Sequence, residues 1–337
     1  MLVCQHVRKI GILGTRQFSK RNFTPTQQTC LFTAFWRNCE QNKANDPDAK
    51  EPLFYDPQAP ILLEQFLDKE TEKKLFESPF HDEVVDLLAV RTRFIDDFIL
   101  KFVSTTTETD QSESDSSDGK RCTNNPGFKQ LVLLGAGMDT RAYRLDLPND
   151  WIVVEVDSDM DVLQKKHEVL QRFKGPTKFK PTVKKVGSVE CNIESEPGKA
   201  MAQCFNGSEG LCDDKRPTIF VLEGLLEYLD PNSHLKLFTA LRRSSTNINP
   251  KQLSRLGSRI VLQCLEPSFG DYISKMGIEL PYKKLVTAEE MTKCLAKGGW
   301  ENVIVYTAED LVSETTFPMF SGRKLPPGFC LIEATSV

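Results

Sequence analysis

Residues 131–141 read Leu-Val-Leu-Leu-Gly-Ala-Gly-Met-Asp-Thr-Arg, and this stretch decides the fold. A continuous apolar run that ends in glycine is typical of a fully buried strand in a parallel sheet. Gly135 and Gly137 allow a tight turn and a close approach of the backbone to a ligand. Asp139 or Thr140 can cap a following helix, whose first amide groups then face that ligand. The stretch therefore predicts the strand, loop and helix of a Rossmann-type cofactor site.

The next predicted strand, residues 151–157, is apolar and ends in acidic residues. Asp157 lies about 20 residues after the glycine loop, where such folds place the acid that binds ribose hydroxyls. Glu155 lies two residues earlier and shares the same strand face, so either carboxylate could accept these hydrogen bonds. We prefer Asp157 because ligands sit at the carboxyl ends of the strands in open sheets. Thr140 stands where a dinucleotide fingerprint needs its third glycine, which argues against a nicotinamide cofactor.

Four ordered motifs resemble a known family. They are Val-Arg-Thr-Arg-Phe-Ile-Asp-Asp (90–97), Gly-Ala-Gly-Met-Asp-Thr-Arg-Ala-Tyr-Arg-Leu (135–145), Glu-Val-Asp (155–157) and Leu-Glu-Gly-Leu-Leu-Glu-Tyr-Leu (222–229). Together they resemble the leucine carboxyl methyltransferase family of S-adenosylmethionine-dependent O-methyltransferases. The resemblance covers residues 33–231 well, and the remaining chain only by its strand–helix pattern. It implies a Rossmann-like class I methyltransferase sheet with an N-terminal helical lid beside the cofactor.

The rest of the chain alternates predicted strands and helices. Further strands are predicted at 183–189, 218–222, 259–265, 300–306 and 328–334. Helices are predicted at 59–67, 82–102, 160–173 and 287–297, with others beginning at Phe32 and at Asp230. This alternation predicts an α/β fold with a mostly parallel sheet and helices on both faces. The last two strands should form an antiparallel edge, and the fourth strand should lie beside the first.

The resemblance also implies roles for individual residues. We predict a cofactor-binding set of Arg91, Gly135, Gly137, Asp157, Asn192, Ile193 and Glu223. Arg91 would bind the carboxylate of the methionine part, which suits the rigid fork of a guanidinium. Glu223 would accept from the α-ammonium, and a side chain at Gly137 would fill the ligand's space. Asn192 stands where the family usually has aspartate, and its amide oxygen can still accept from the adenine amino group.

The methyl acceptor decides whether a base is needed. A carboxylate is already an anion at neutral pH, whereas a hydroxyl needs a general base, for which Glu223, Glu227 and Tyr228 are candidates. We favour a carboxylate of a small molecule or of a protein C-terminus, and we assign no catalytic residue. The alternatives are a non-catalytic member that binds the cofactor or a partner, which Asn192 keeps open, and a nicotinamide-dependent oxidoreductase. Arg91 could instead support a charged helix face, and Tyr228 could simply pack.

Composition excludes several classes of protein. The chain has 43 basic and 47 acidic residues and a net charge of −4, which argues against a general nucleic-acid binder. Its ten cysteines and four histidines show no metal-binding spacing, and the cysteines are typical of free thiols in a reducing compartment. No apolar run reaches membrane-spanning length, so we expect no membrane partner.

The N-terminus has the composition of a transit peptide. No acidic residue occurs before Glu40, whereas arginine, lysine and threonine are frequent. Mitochondrial import is therefore predicted before plastid import, with a basic disordered tail on a cytoplasmic protein as the alternative. The predicted organisation is a transit peptide or tail at 1–30, a helical lid region at 31–103, a disordered acidic Ser/Thr-rich insertion at 104–128 and the methyltransferase domain at 129–337.

Overall fold

A seven-stranded sheet organises the protein in a computed structural model that describes residues 23–45, 49–111, 128–173, 181–205, 211–214, 216–243, 257–275 and 280–336. The strands are β1 (Gln130–Leu134), β2 (Ile152–Asp157), β3 (Lys185–Glu190), β4 (Ile219–Leu222), β5 (Arg259–Leu265), β6 (Trp300–Thr307) and β7 (Phe329–Ser336). They follow the order β3-β2-β1-β4-β5-β7-β6. β1 to β5 pair in parallel, whereas β7 runs antiparallel to both β5 and β6. The predicted α/β fold, its antiparallel edge and the place of β4 beside β1 are confirmed.

Helices cover both faces of this sheet. In the described residues they are α1 (Pro25–Asn42), α2 (Ala59–Phe66), α3 (Lys69–Phe76), α4 (His81–Gln111), α5 (Arg141–Arg144), α6 (Met160–Arg172), α7 (Pro197–Phe205), α8 (Pro231–Arg243), α9 (Pro267–Lys275), α10 (Ala288–Lys297) and α11 (Ala308–Leu311). The Thr287 hydroxyl accepts from the Glu290 amide and the Glu290 carboxylate accepts from the Thr287 amide, and these two hydrogen bonds cap the N-terminus of α10.

Alternate residues of β1 enter two separate apolar cores. Leu131 and Leu133 pack in the core beneath α1, α2, α4 and α6, whereas Val132 and Leu134 pack against α7, α8 and α10. Successive side chains of a strand point to opposite faces, so a strand covered on both faces must be apolar throughout. This is why the run before the first glycine identified the central strand.

Two boundaries differ from the predicted ones. α1 begins at Pro25 rather than at Phe32, because Thr24 caps it and proline favours the first helical turn. Residues 23–30 of the predicted tail are therefore largely helical. α4 continues to Gln111, well into the predicted insertion, since no glycine or proline interrupts it. Phe128, the last residue of the predicted insertion, is buried in the core. Residues 112–127 and residues 1–22, which hold most of the predicted transit peptide, lie outside the described residues, so those two assignments stay predictions.

The same described ranges show neither a membrane-spanning helix nor a cluster of metal ligands. There, no helix combines the length and the apolar character needed to cross a bilayer. The eight cysteines in those ranges are free thiols. No group of three or more His, Cys, Asp or Glu side chains in them is placed to hold a metal ion.

Candidate active site

A cavity of about 780 Å³ lies at the carboxyl ends of β1, β2 and β4. Its walls come from α1, α4, the loops after β1 to β4, and residues 280–283. The volume falls within the roughly 300–1,000 Å³ that pockets for small organic ligands usually have. Its place at the strand ends, where the connections diverge to either side of β1, is where open α/β sheets bind ligands.

The glycine loop after β1 is shaped by two contacts. The Gly135 amide donates to the Val156 carbonyl across 2.8 Å, which folds the loop against β2. Gly137 has a φ of +43°, and a Cβ built on it would lie 2.9 Å from Cys30 Cβ on α1. The expectation that a side chain at Gly137 would fill the ligand's space stays a prediction. A Cβ at this position would also crowd the N-terminal helix, whose Cys30 lines the same cavity.

The two acidic residues of β2 have different surroundings. Asp157 lines the cavity, where Oδ2 accepts from the Gly137 amide at 2.9 Å and Oδ1 from the Asp159 amide at 3.1 Å. Burial raises the pKa of Asp157, although both amide groups act to lower it. Glu155 is fully buried and accepts from Lys166 Nζ of α6 at 2.7 Å. The structure therefore excludes Glu155 as a cavity group and leaves Asp157, the preferred candidate.

Helix α1 is joined to the glycine loop by Arg37, which the sequence analysis did not select. Arg37 Nε donates to Asp56 Oδ2 at 2.9 Å, and Nη2 donates to the Met138 carbonyl at 2.7 Å. Thr140 Oγ1 donates to the same Asp56 oxygen at 2.8 Å. Arg37 could have been recognised in the sequence as a basic residue inside an apolar helical run, which indicates a buried partner.

A buried arginine network supports the cavity floor. Arg141 Nε donates to Asp96 Oδ1 at 2.7 Å, and its Nη1 bonds both Asp139 and Glu223. Burial raises the pKa of Glu223, but Arg141 and Arg91 outweigh it and lower that pKa to about 2. Glu223 is therefore an anion held by two guanidinium groups.

Arg91 is fixed in place with one amino group to spare. Its Nε lies 2.8 Å from Glu223 Oε1, and its Nη1 donates to Gln263 Oε1 at 2.6 Å. Within the described residues its Nη2 forms no hydrogen bond, and the side chain lines the cavity. This geometry presents a preoriented cation to a ligand carboxylate.

Replacing Arg91 by alanine should weaken binding of S-adenosylhomocysteine by about 1.5–3 kcal/mol, the contribution of a charge-assisted hydrogen bond. Glu223 keeps Arg141 as a partner, so the variant should remain folded. Isothermal titration calorimetry measures the effect, with Arg93→Ala as a control from the same helix. Arg93 pairs with Asp97 and does not line the cavity. An unchanged dissociation constant for the Arg91 variant would remove Arg91 from the site.

Glu227 and Gln263 extend this arrangement. Glu227 is buried, its Oε1 accepts from Gln263 Nε2 at 2.7 Å, and its Oε2 has no partner in the described chain. Burial raises the pKa of Glu227 to about 7. The Tyr228 ring packs edge-on against Tyr282 at 5.3 Å between centroids, and burial raises its pKa to about 12. Gln263 was missed, although it is a lone polar residue within the apolar strand β5.

One of the two residues predicted to bind adenine already accepts hydrogen bonds from the protein backbone. Asn192 is exposed, and its Oδ1 accepts from the backbone amides of Glu194 at 3.0 Å and Ser195 at 3.3 Å. This oxygen therefore closes the turn after β3, and an adenine amino group would compete with that turn. Ile193 is buried, and both residues line the cavity. Their role toward adenine stays a prediction.

Comparison with known proteins identifies the family of the chain. A sequence model of the family described as leucine carboxyl methyltransferase matches residues 119–242. A Mycobacterium marinum protein named "Putative S-adenosyl-L-methionine-dependent methyltransferase" is 32% identical over 271 residues, covering 77% of this chain and 74% of its own length. The chain belongs to the leucine carboxyl methyltransferase family. The family predicted from the four motifs, whose members depend on S-adenosylmethionine, is thereby confirmed.

Two further similarities, one in sequence and one in structure, are more limited. A second Mycobacterium marinum protein of the same name is 29% identical over 234 residues, and this match covers 64% of the chain. The chain spans 58% of that relative's length. A methyltransferase structure from Thermobifida fusca, also named as putative, aligns with a TM-score of 0.51 and 16% identity over 82% of this chain and 92% of its own. That last likeness concerns the fold.

Proposed function

We propose that this protein transfers a methyl group from S-adenosylmethionine to an oxygen of an acceptor, which is a carboxylate- or hydroxyl-bearing small molecule or a protein C-terminus. The observation that carries the proposal is the convergence of Asp157, the Arg91–Glu223 pair and the glycine loop on one cavity. Family membership supports the same reaction class.

The residues around the cavity fit this cofactor. In our proposal the Asp157 carboxylate accepts from ribose hydroxyls, and Arg91 Nη2 donates to the methionine carboxylate. Each Glu223 oxygen keeps a further lone pair beside its arginine partner, so it can accept from the α-ammonium. Ile193 offers an apolar surface to the adenine. When bound, S-adenosylmethionine supplies an electrophilic methyl group on its sulfonium sulfur. The protein's task is to hold the acceptor oxygen in line with that methyl group and to exclude water.

The cations of the cavity bear on the choice of acceptor. An acceptor carboxylate, which the family name favours, needs no base but does need a cation to hold it. In the described part of the cavity wall, every arginine or lysine already has a carboxylate partner. These pairs are Arg37–Asp56, Arg91–Glu223 and Lys283–Glu194. Arg91, whose Nη2 is open in the described chain, is assigned to the cofactor in this proposal, so an acceptor carboxylate would have to share Arg37 or Lys283 with a protein carboxylate. This observation favours a hydroxyl acceptor as the second candidate.

Two measurements on the purified protein test the proposal. Calorimetric titration should show that S-adenosylhomocysteine binds and that NADH does not, since the third glycine of a dinucleotide loop is absent. Incubation with methyl-tritiated S-adenosylmethionine and a cell extract should then move label into a product. Tight S-adenosylhomocysteine binding with no labelled product would favour a non-catalytic family member, and selective NADH binding would favour an oxidoreductase.

A further inference from the structure

The carboxylate of Glu227 has one oxygen that the described protein leaves unused. Its side chain is 5% exposed and lines the cavity, and Oε2 has no hydrogen-bond partner in the described residues. Buried polar atoms are nearly always satisfied, by the protein, by water or by a ligand. An unsatisfied carboxylate oxygen in a cavity wall therefore points to a ligand group that donates a hydrogen bond.

The orientation of that free oxygen is determined by a chain of hydrogen bonds. Arg91 can only donate, so the Gln263 atom that it contacts at 2.6 Å must be the amide oxygen. The Gln263 amino group then faces Glu227 and donates to Oε1 at 2.7 Å. Oε1 already accepts this hydrogen bond, whereas Oε2 has no partner in the described residues and is the less encumbered acceptor for a ligand. The same chain links it to the guanidinium that we propose binds the cofactor's methionine carboxylate.

The walls around Glu227 are apolar and aromatic. Tyr228 and Tyr282 pack edge-to-face beside it, and residues 280–283 reach the site, where the Lys283 amide donates to the Glu227 carbonyl at 2.9 Å. Further apolar residues that line the same cavity are Leu265, Phe269, Ile273, Leu280 and Pro281. Such walls favour an apolar or aromatic acceptor that carries few polar groups.

We propose that Glu227 is the general base for a hydroxyl acceptor on an apolar, aromatic scaffold. This inference rests on the proposed O-methyltransferase function and names its substrate class. The acceptor O–H bond breaks, and its proton passes to Glu227 Oε2. The electron pair that this leaves on the acceptor oxygen forms the new C–O bond to the methyl carbon. The electron pair of the broken C–S bond stays on sulfur. Glu227 afterwards releases the proton to solvent when the product leaves.

The charges near Glu227 are consistent with this role. The charged or titratable groups packed near it are Arg91, Glu223, Tyr228, Tyr282, Cys264 and Lys283. Burial raises the pKa of Glu227 to about 7, Arg91 lowers it and Glu223 raises it. Burial also raises the pKa values of both tyrosines and of Cys264. A group that titrates near neutral pH in this cluster is therefore Glu227, and a base works best with its pKa near the working pH.

The chemical nature of the labelled product separates the acceptor classes. After transfer from methyl-tritiated S-adenosylmethionine, an O-methyl ether resists mild alkali and releases labelled methyl iodide with hydriodic acid. A methyl ester releases volatile methanol in alkali. We expect the ether. Label that is volatile in alkali would overturn the role of Glu227 while leaving the O-methyltransferase proposal in place. No label, with S-adenosylhomocysteine bound normally, would overturn both.

Glu227→Gln should lower the rate of ether formation at pH 8 by at least about 100-fold, the lower bound for general-base catalysis. Its dissociation constant for S-adenosylhomocysteine should change by no more than about twofold, because the amide oxygen of the new glutamine can still accept from Gln263 and so preserve the contact of Gln263 with Arg91. Glu227→Asp should restore part of the rate. The wild-type rate should rise with pH and level off above about pH 7, and this dependence should vanish in Glu227→Gln. Glu168→Gln, an exposed carboxylate on α6, is the control. Equal rates for the Glu227 and Glu168 variants would contradict the proposal.

The pKa of Glu227 also has a readout that needs no acceptor. Its folded pKa of about 7 lies above the ordinary 4.5, so its stabilising contribution is full below pH 4.5 and is lost as pH rises toward 7. Glutamine does not titrate. The melting temperature of Glu227→Gln relative to wild type should therefore rise by roughly 2–6 °C between pH 5 and pH 8. A carboxylic-acid carbonyl band in infrared spectra should disappear over the same range in wild type only. A pH-independent difference in melting temperature would show that Glu227 does not titrate there.

Discussion

Gly137→Val is expected to weaken binding of S-adenosylhomocysteine by at least about 100-fold, or about 3 kcal/mol. The new Cβ would stand 2.9 Å from Cys30 Cβ, and a φ of +43° is strained for a β-branched residue. To relieve both, α1 must shift or the loop must change conformation. Either change also moves the Gly137 amide, which donates to Asp157 and so orients the carboxylate proposed to bind the ribose.

A matched substitution distinguishes this local effect from a general one. Gly198 lies on α7, and a Cβ built there meets no atom within 4 Å, so Gly198→Val should bind the ligand normally. Circular dichroism establishes that both variants are folded before calorimetry measures the dissociation constants. Normal binding by a folded Gly137→Val protein would mean that the contact with Cys30 does not shape the site.

Arg141→Met is expected to lower the free energy of unfolding by about 3–5 kcal/mol, the usual cost of removing one partner of a buried ion pair. Arg141 is 2% exposed and holds three carboxylates, those of Asp96, Asp139 and Glu223. Methionine fills a similar volume without charge, so these anions would remain close together with Arg91 and Arg144 as the nearby cations. Urea denaturation measures the loss.

Two further variants identify the cause. Arg141→Lys keeps the charge but not the planar fork, so its stability should lie between those of the wild type and the methionine variant. Arg172→Met removes an exposed arginine of α6 that pairs with Glu168, and it should change stability by less than about 0.5 kcal/mol. If Arg141→Met were as stable as the wild type, the network would contribute nothing net to folding.

The strands were predictable because the sheet is covered on both faces. β5 has the predicted bounds, since every residue after Arg259 is buried and the sequence must be apolar there. The start of α1 was missed for a different reason. A capping threonine followed by proline at residues 24–25 lies within an arginine-rich, acid-free segment, and that composition also indicates a transit peptide. The helix-start signal and the transit-peptide composition therefore overlapped in the same residues. The contact between Cys30 and the Gly137 position shows that this helix belongs to the cavity wall.

The candidate site was predictable only in part. Residues of the four motifs came together as expected, because three motifs lie at the carboxyl ends of strands that pair in register. The fourth, at 90–97, lies in α4, which lines the same cavity. The partners of these residues were not predictable. Gln263 is 172 positions from Arg91 in the chain, and Arg37 contacts a carbonyl 101 positions away. A local sequence pattern cannot predict such contacts, because hydrogen bonds between remote segments depend on how whole helices pack.

The sequence by itself determined the sheet, the glycine loop and the family, because each depends on short runs whose burial pattern or backbone freedom is local. It also placed both acids of β2 on one strand face. Only the tertiary structure decided that α6 covers Glu155 while Asp157 stays in the cavity, and that Gln263 leaves one oxygen of Glu227 free. These outcomes depend on which helix covers which strand end, and that is settled by packing of the folded chain as a whole.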